Sequence, residues 1–182
     1  MEVLQKMIEE TGLDPTGLKL ELTESLLMRD QDLIIPRLKA IKSLGVGLAI
    51  DDFGTGYSSL SYLKQFPVDS LKIDQSFVKN IPDDSDDVAI AEMIIVLAAQ
   101  LKLEVVAEAI ETKAQRDFLL SRGCQSAQGY LFGRPVSAEE MTDFLEKTFK
   151  RNSIHSLPLD DAGRSRVDEA HSLPSTRGSV PL

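Results

Sequence analysis

Two adjacent carboxylates, Asp51 and Asp52, stand where the apolar run Val46-Gly47-Leu48-Ala49-Ile50 stops, and Phe53-Gly54-Thr55-Gly56 follows them. Acids at the end of a buried strand repel each other and lose hydration, so they stay ionised only beside a cation or hydrogen-bond donors. The glycines supply a tight turn into the next element, which is how an α/β protein presents metal ligands at the rim of its sheet. Taken alone, the same residues read as a surface turn whose Asp caps a helix opening at Tyr57-Ser58-Ser59-Leu60. Further residues of related chemistry decide between the two readings: Glu21, Lys72, Asp74, Glu108 and Gln128.

The elements that must position them follow from pattern. Residues 18–23, 46–51, 70–74, 103–109 and 124–128 have strand character. Helical runs separate them. Leu38, Ile41 and Leu44 form a stripe that ends at Gly45, a natural C-terminal cap. Residues 85–101 read as a long apolar helix with an acidic first turn. Thr112-x-x-Gln115 and Ser137-x-x-Glu140 are capping boxes, and Gly12 and Gly123 are helix stops. Such alternation implies an α/β fold with a parallel sheet and right-handed crossovers.

Strand parity then assigns faces. Glu21 and Thr23 point away from Leu20 and Leu22, and Asp51 shares its side with Gly47 and Ala49. Lys72 aligns with Asp74, Glu108 with Glu104 and Val106, and Gln128 with Ser126 and Cys124. Each strand therefore has an apolar face for helices and a polar or small face with functional groups near its carboxyl end, where parallel α/β folds bind ligands. Singly, Glu21 reads as a solvated edge carboxylate, Lys72 as a snorkelling surface lysine, Glu108 or Glu111 as a cap for the helix near Thr112, and Gln128 as a turn residue. Jointly they read as a metal-dependent phosphoryl or carbonyl site. The histidines are His155 and His171, both near the carboxyl terminus, so oxygen ligands dominate and favour Mg2+ or Mn2+ over zinc.

Length and charge set the outer limits. The 182 residues suffice for one domain but fall short of a complete (β/α)8 barrel of about 250. A formal charge of -9 and no basic stripe argue against a nucleic-acid polymer as partner, although cations can bridge carboxylates to a smaller anion. One cysteine, Cys124, excludes an internal disulfide and suits a reducing, cytoplasmic location. No membrane segment or signal peptide is apparent. Residues 1–149 are expected to form the domain, and 150–182, rich in Ser, Pro, Arg and Asp, a disordered tail.

Several segments in order resemble the EAL-domain family: Glu21-Leu22-Thr23-Glu24-Ser25, Asp51-Asp52-Phe53-Gly54-Thr55-Gly56-Tyr57-Ser58-Ser59-Leu60, Leu71-Lys72-Ile73-Asp74 and Gln128-Gly129-Tyr130-Leu131-Phe132-Gly133-Arg134-Pro135. Val106-Ala107-Glu108-Ala109-Ile110-Glu111-Thr112 is similar to that family's Ala-Glu-Gly-Val-Glu-Thr segment, with Ala109 in place of glycine. The resemblance implies a modified TIM-like barrel that hydrolyses cyclic di-GMP to the linear dinucleotide in bacterial signalling, with a two-metal site of Mg2+ or Mn2+. It implies that Glu21, Asp51 and Asp52 are metal ligands, Lys72 positions the attacking water and Glu108 is the general base or holds that water. Gln128, with Asp74, would contact the water network or substrate, Glu24 would hold the Asp52-Phe53-Gly54 loop, and Glu111 would support the site.

The family's name-giving Glu-Ala-Leu segment and the asparagine ligand that follows it are absent from this sequence. The expectation is a partial (β/α)8 barrel lacking about three N-terminal strands. Open sheet edges and missing ligands would mean marginal stability, weakened metal binding, and self-association or completion by another polypeptide.

Overall fold

The computed structural model describes residues 2–27, 29–56 and 63–154, and the chain divides into two units, 1–133 and 134–182. The first unit alternates helices and strands: α1 (Glu2–Thr11), β1 (Lys19–Thr23), a short α2 (Glu24–Leu27), α3 (Gln31–Lys42), β2 (Gly47–Phe53), β3 (Ser70–Ile73), α4 (Ser85–Leu101), β4 (Glu104–Ala107), α5 (Lys113–Ser121) and β5 (Ser126–Ala127). The second carries α6 (Ala138–Ile154), opened by the reciprocal Ser137–Glu140 capping box. Thus α6 continues beyond residue 149. The remainder of the expected tail, from residue 155, lies outside the described residues, as does the helix expected to open at Tyr57-Ser58-Ser59-Leu60.

The five strands pair in parallel and in sequence order, β1-β2-β3-β4-β5. Parallel neighbours require a crossover, and an order that never reverses builds a barrel wall rather than a doubly wound sheet. Side-chain contacts report the curvature. Lys19 on β1 donates to Glu104 on β4 at 2.9 Å, although these strands are separated by about 14 Å on a flat sheet. Side chains stand perpendicular to such a sheet, so this pair closes only across a concave inner face. The fold is an α/β partial barrel.

Helices cover the outer face. Leu48, Ile50, Phe53, Leu71, Ile73 and Val105 from the strands share one core with Leu27, Leu38, Ile94, Ala98 and Leu119 from helices. The longest helix of this unit, α4, begins at Asp84, whose side chain accepts from the Asp86 and Asp87 amides, and its acidic first turn complements the helix dipole. It sends Ala91, Ile94, Ile95 and Ala98 inward while Met93 and Val96 remain exposed. No helix among the described residues is long and apolar enough to cross a membrane.

The amino ends of the strands are tied by structural polar contacts. Asp69 accepts from Lys42 at 2.7 and 2.8 Å and from the Leu48 amide at 2.7 Å. Burial raises this carboxyl, but the Lys42 and Leu48 hydrogen bonds outweigh it and hold Asp69 below the usual carboxylate range. The carboxyl ends are arranged differently.

Candidate metal centre

Strand β2 carries the first departure from simple alternation. Ile50 pairs with Leu71 and Phe53 with Ile73, so β2 spends one more residue than β3 between the two pairings. This is a β-bulge, and Asp52 within it adopts φ 54°, in the left-handed region. Ile50 and Phe53 both join the core, leaving the two acids between them partly exposed. Strict alternation through Phe53 would turn Asp51 and Asp52 to opposite faces, and the bulge removes that alternation. Oxygens of Asp51, Asp52 and Glu108 instead lie within 4.8 Å of one another. The sequence held a signal for this: apolar Ile50 and Phe53 are three apart, a spacing that regular alternation does not give.

Lys72, on the central strand β3, organises the cluster. Its Nζ lies 2.6 Å from Glu21 Oε2, 3.0 Å from Asp51 Oδ1 and 2.5 Å from Glu108 Oε1. The side chain is 6% exposed, which favours a neutral amine, but hydrogen bonding to Glu108, Glu21 and Asp51 outweighs desolvation and raises its pKa well above the ordinary lysine value. Among the described residues, Glu21, Asp51, Asp52 and Glu108 are therefore faced by one ammonium, and this cluster keeps a formal excess of negative charge. Asp52 registers it: desolvation first, then the charges of Asp51 and Asp74, push its carboxyl above the usual range.

This donor set fits a hard divalent cation. All its atoms are carboxylate oxygens. Asp51 Oδ1 is buried and lies 3.0 Å from the Lys72 ammonium. Neither histidine lies within the described residues.

Supporting residues surround the cluster. Glu24 is 2% exposed and its Oε2 accepts from the Gly54 amide at 2.9 Å, just past the bulge. Asp74 caps the turn Gln75–Phe77, accepting from the Ser76 amide at 2.9 Å and from its hydroxyl at 2.5 Å, and interacts with Asp52. Neither Glu108 nor Glu111 caps α5; Thr112 does. Glu111 is exposed, and its amide donates to Gln115. Gln128 extends β5 by donating its amide to Ala107 O at 2.8 Å. With Glu108, Ala109, Glu111 and Gly129, Gln128 lines a cavity of about 300 Å³. Gln75 and Tyr130 complete that lining. Sequence reading did not select either one, because neither sits at a strand end.

Two backbone positions hold the Glu108 loop. A Cβ on Gly129 would fall on the Ile110 backbone, so only glycine allows the segments after β4 and β5 to approach this closely. Ala109 has φ 53°, which ends β4 at Ala107 rather than at residue 109. Left-handed backbone costs an ordinary residue about 1–2 kcal/mol, while glycine loses about 0.4–1 kcal/mol through greater freedom when unfolded. Ala109→Gly is therefore expected to stabilise the chain by about 0.5–1 kcal/mol, read as an increase in thermal midpoint. An unchanged or lower midpoint would show that the turn does not strain alanine.

A barrel wall that gathers carboxylates and a lysine at its carboxyl rim defines an α/β-barrel protein with a rim site built for divalent cations. The chain belongs to the EAL domain family, whose sequence profile matches residues 1–135. It is 51% identical over 130 residues to the bifunctional diguanylate cyclase/cyclic di-GMP phosphodiesterase MucR of Pseudomonas aeruginosa, covering 71% of this chain and 19% of MucR. The solved MucR phosphodiesterase–cyclic di-GMP complex superposes with a TM-score of 0.74 at 47% identity, covering 77% of this chain and 57% of that one. The Klebsiella pneumoniae BlrP1 complex with manganese and cyclic di-GMP gives 0.69 at 36% identity, covering 74% and 34%. This chain thus spans about a fifth of full-length MucR and little over half of its solved phosphodiesterase chain.

Proposed function

We propose that this chain provides the catalytic rim of a metal-dependent phosphodiesterase that hydrolyses cyclic di-GMP to the linear dinucleotide in the bacterial cytoplasm. The observation that carries the reading is the convergence of Asp51, Asp52 and Glu108 about Lys72 in a chain of the EAL family. Glu21, Asp51 and Asp52 would hold Mg2+ or Mn2+. Bound divalent cations would offset the repulsion between acidic rim and anionic substrate and stabilise charge on the phosphoryl oxygens.

The chain's own groups supply the rest. Glu108 borders the cavity and accepts the proton of the attacking water at its carboxylate. Lys72, held between Glu21, Asp51 and Glu108, orients that carboxylate and fixes positive charge where the phosphodiester arrives. Gln128 faces the same cavity and binds the water network or substrate, a role that Asp74 shares from beside Asp52. Glu24 and Glu111 keep the loops after β2 and β4 in place.

The test is purified chain incubated with cyclic di-GMP and Mn2+, with the linear dinucleotide measured by chromatography beside Glu108→Ala. The expected result is product from the unaltered chain and at least about a hundredfold less from the variant. Absence of product with retained nucleotide binding would replace catalysis by a binding role. Equal product from both chains would remove Glu108 from the chemistry.

A further inference from the structure

Gln115 was legible as the last residue of a capping box, but the structure uses it twice. Its Oε1 accepts from the Glu111 and Thr112 amides, both at 2.9 Å, and this completes the cap of α5. Its Nε2 donates to Val78 O at 3.2 Å and Lys79 O at 3.1 Å, on the segment that follows β3. The side chain is 5% exposed and both ends of its amide are satisfied. Glutamate would cap α5 as well as glutamine does. Only the two carbonyls require the amide nitrogen.

The contacts continue beyond Val78. The adjoining turn Gln75–Phe77 is capped by Asp74, and Phe77 packs so close to Gly54 that a Cβ there would lie 3.0 Å from its ring. Gly54 follows the Asp51-Asp52-Phe53 bulge directly. Glu108 directly follows β4 and the Asp51–Asp52 pair lies on β2, strands that are not neighbours, since β3 lies between them. We infer that Gln115 is a positioning residue: through Val78, Lys79 and Phe77 it sets the separation between Glu108 and the Asp51–Asp52 pair. The inference rests on the metal-dependent reading proposed above.

The experiment is calorimetric titration of Mn2+ into the full chain and its variants, with thermal midpoints recorded in parallel. Gln115→Glu keeps the cap and sets a carboxylate against two carbonyls, while Phe77→Leu shortens the other link. Both are expected to weaken Mn2+ affinity about tenfold, the lower end of what second-layer supports contribute. Thr112→Ala removes the cap and leaves the Val78 and Lys79 links, so it should lower the midpoint without changing affinity. If Gln115→Glu does not fold, Phe77→Leu decides alone. Folded variants that bind Mn2+ within about twofold of the parent would overturn the inference, as would an equal loss in Thr112→Ala. A parent chain that binds no Mn2+ would instead overturn the metal reading, and the positioning role with it.

Discussion

Lys72→Met is expected to lower the stability of the metal-free chain by about 3 kcal/mol, the lower range for removing one partner of a buried ion pair. For a chain of this length that is a fall of about 6–12 °C in thermal midpoint. The reason lies in what the ammonium faces. It is almost fully buried and contacts Glu21, Asp51 and Glu108 at once, so its loss leaves their charges to repel one another beneath a low-dielectric surface. The same change should tighten Mn2+ binding, because it removes a competing positive charge, while slowing hydrolysis at least about a hundredfold.

The pH dependence of this difference has a definite sign. Hydrogen bonding to Glu108, Glu21 and Asp51 raises Lys72 above its unfolded value despite desolvation. A raised lysine stabilises fully below the unfolded pKa of about 10.4 and loses that contribution as pH rises past it. The gap between parent and variant should therefore stay flat from about pH 7 to about pH 9 and narrow above. Calorimetry across that range, with and without Mn2+, makes the measurement. Equal midpoints near neutrality would mean that the carboxylates find other partners.

The parts of this fold legible in sequence are those governed by repetition. All five strands were locatable because apolar runs recur between capped helices, and parity alone put Glu21, Lys72 and Glu108 on one face. Local exceptions to repetition leave fainter traces, such as the three-residue spacing of Ile50 and Phe53. The bulge that turns Asp51 and Asp52 to the same rim changes the register by one residue, and propensity does not encode where such an insertion falls. The expected strand over 103–109 overshoots the carboxyl end of β4 by two residues because Ala109 occupies a left-handed conformation that alanine does not advertise, although a glycine there would. Gln115 shows a third limit. A capping box describes contacts within four residues, whereas half of that amide's bonds go to a segment more than thirty residues earlier.

Asp52→Asn should move stability the other way. Desolvation and the neighbouring Asp51 and Asp74 charges raise the Asp52 carboxyl above its ordinary value. A carboxylate raised on folding is more easily ionised in the unfolded chain, so at neutral pH its charge costs stability. Asparagine has no charge to bury and also tolerates the left-handed conformation that Asp52 adopts at φ 54°. The metal-free variant is expected to gain on the order of 0.5 kcal/mol, or about 1–2 °C. That gain should fade as pH falls through the raised Asp52 value and be gone below about pH 4, the unfolded carboxylate value. Mn2+ affinity should fall at least about tenfold, since even indirect supports of a metal ligand contribute that much. A lower midpoint near neutral pH, or undiminished Mn2+ binding, would sink the argument. With Lys72→Met, the pair separates two uses of charge at one rim: Lys72 stabilises the cluster that Asp52 strains, and the residual strain is what a divalent cation relieves when it binds.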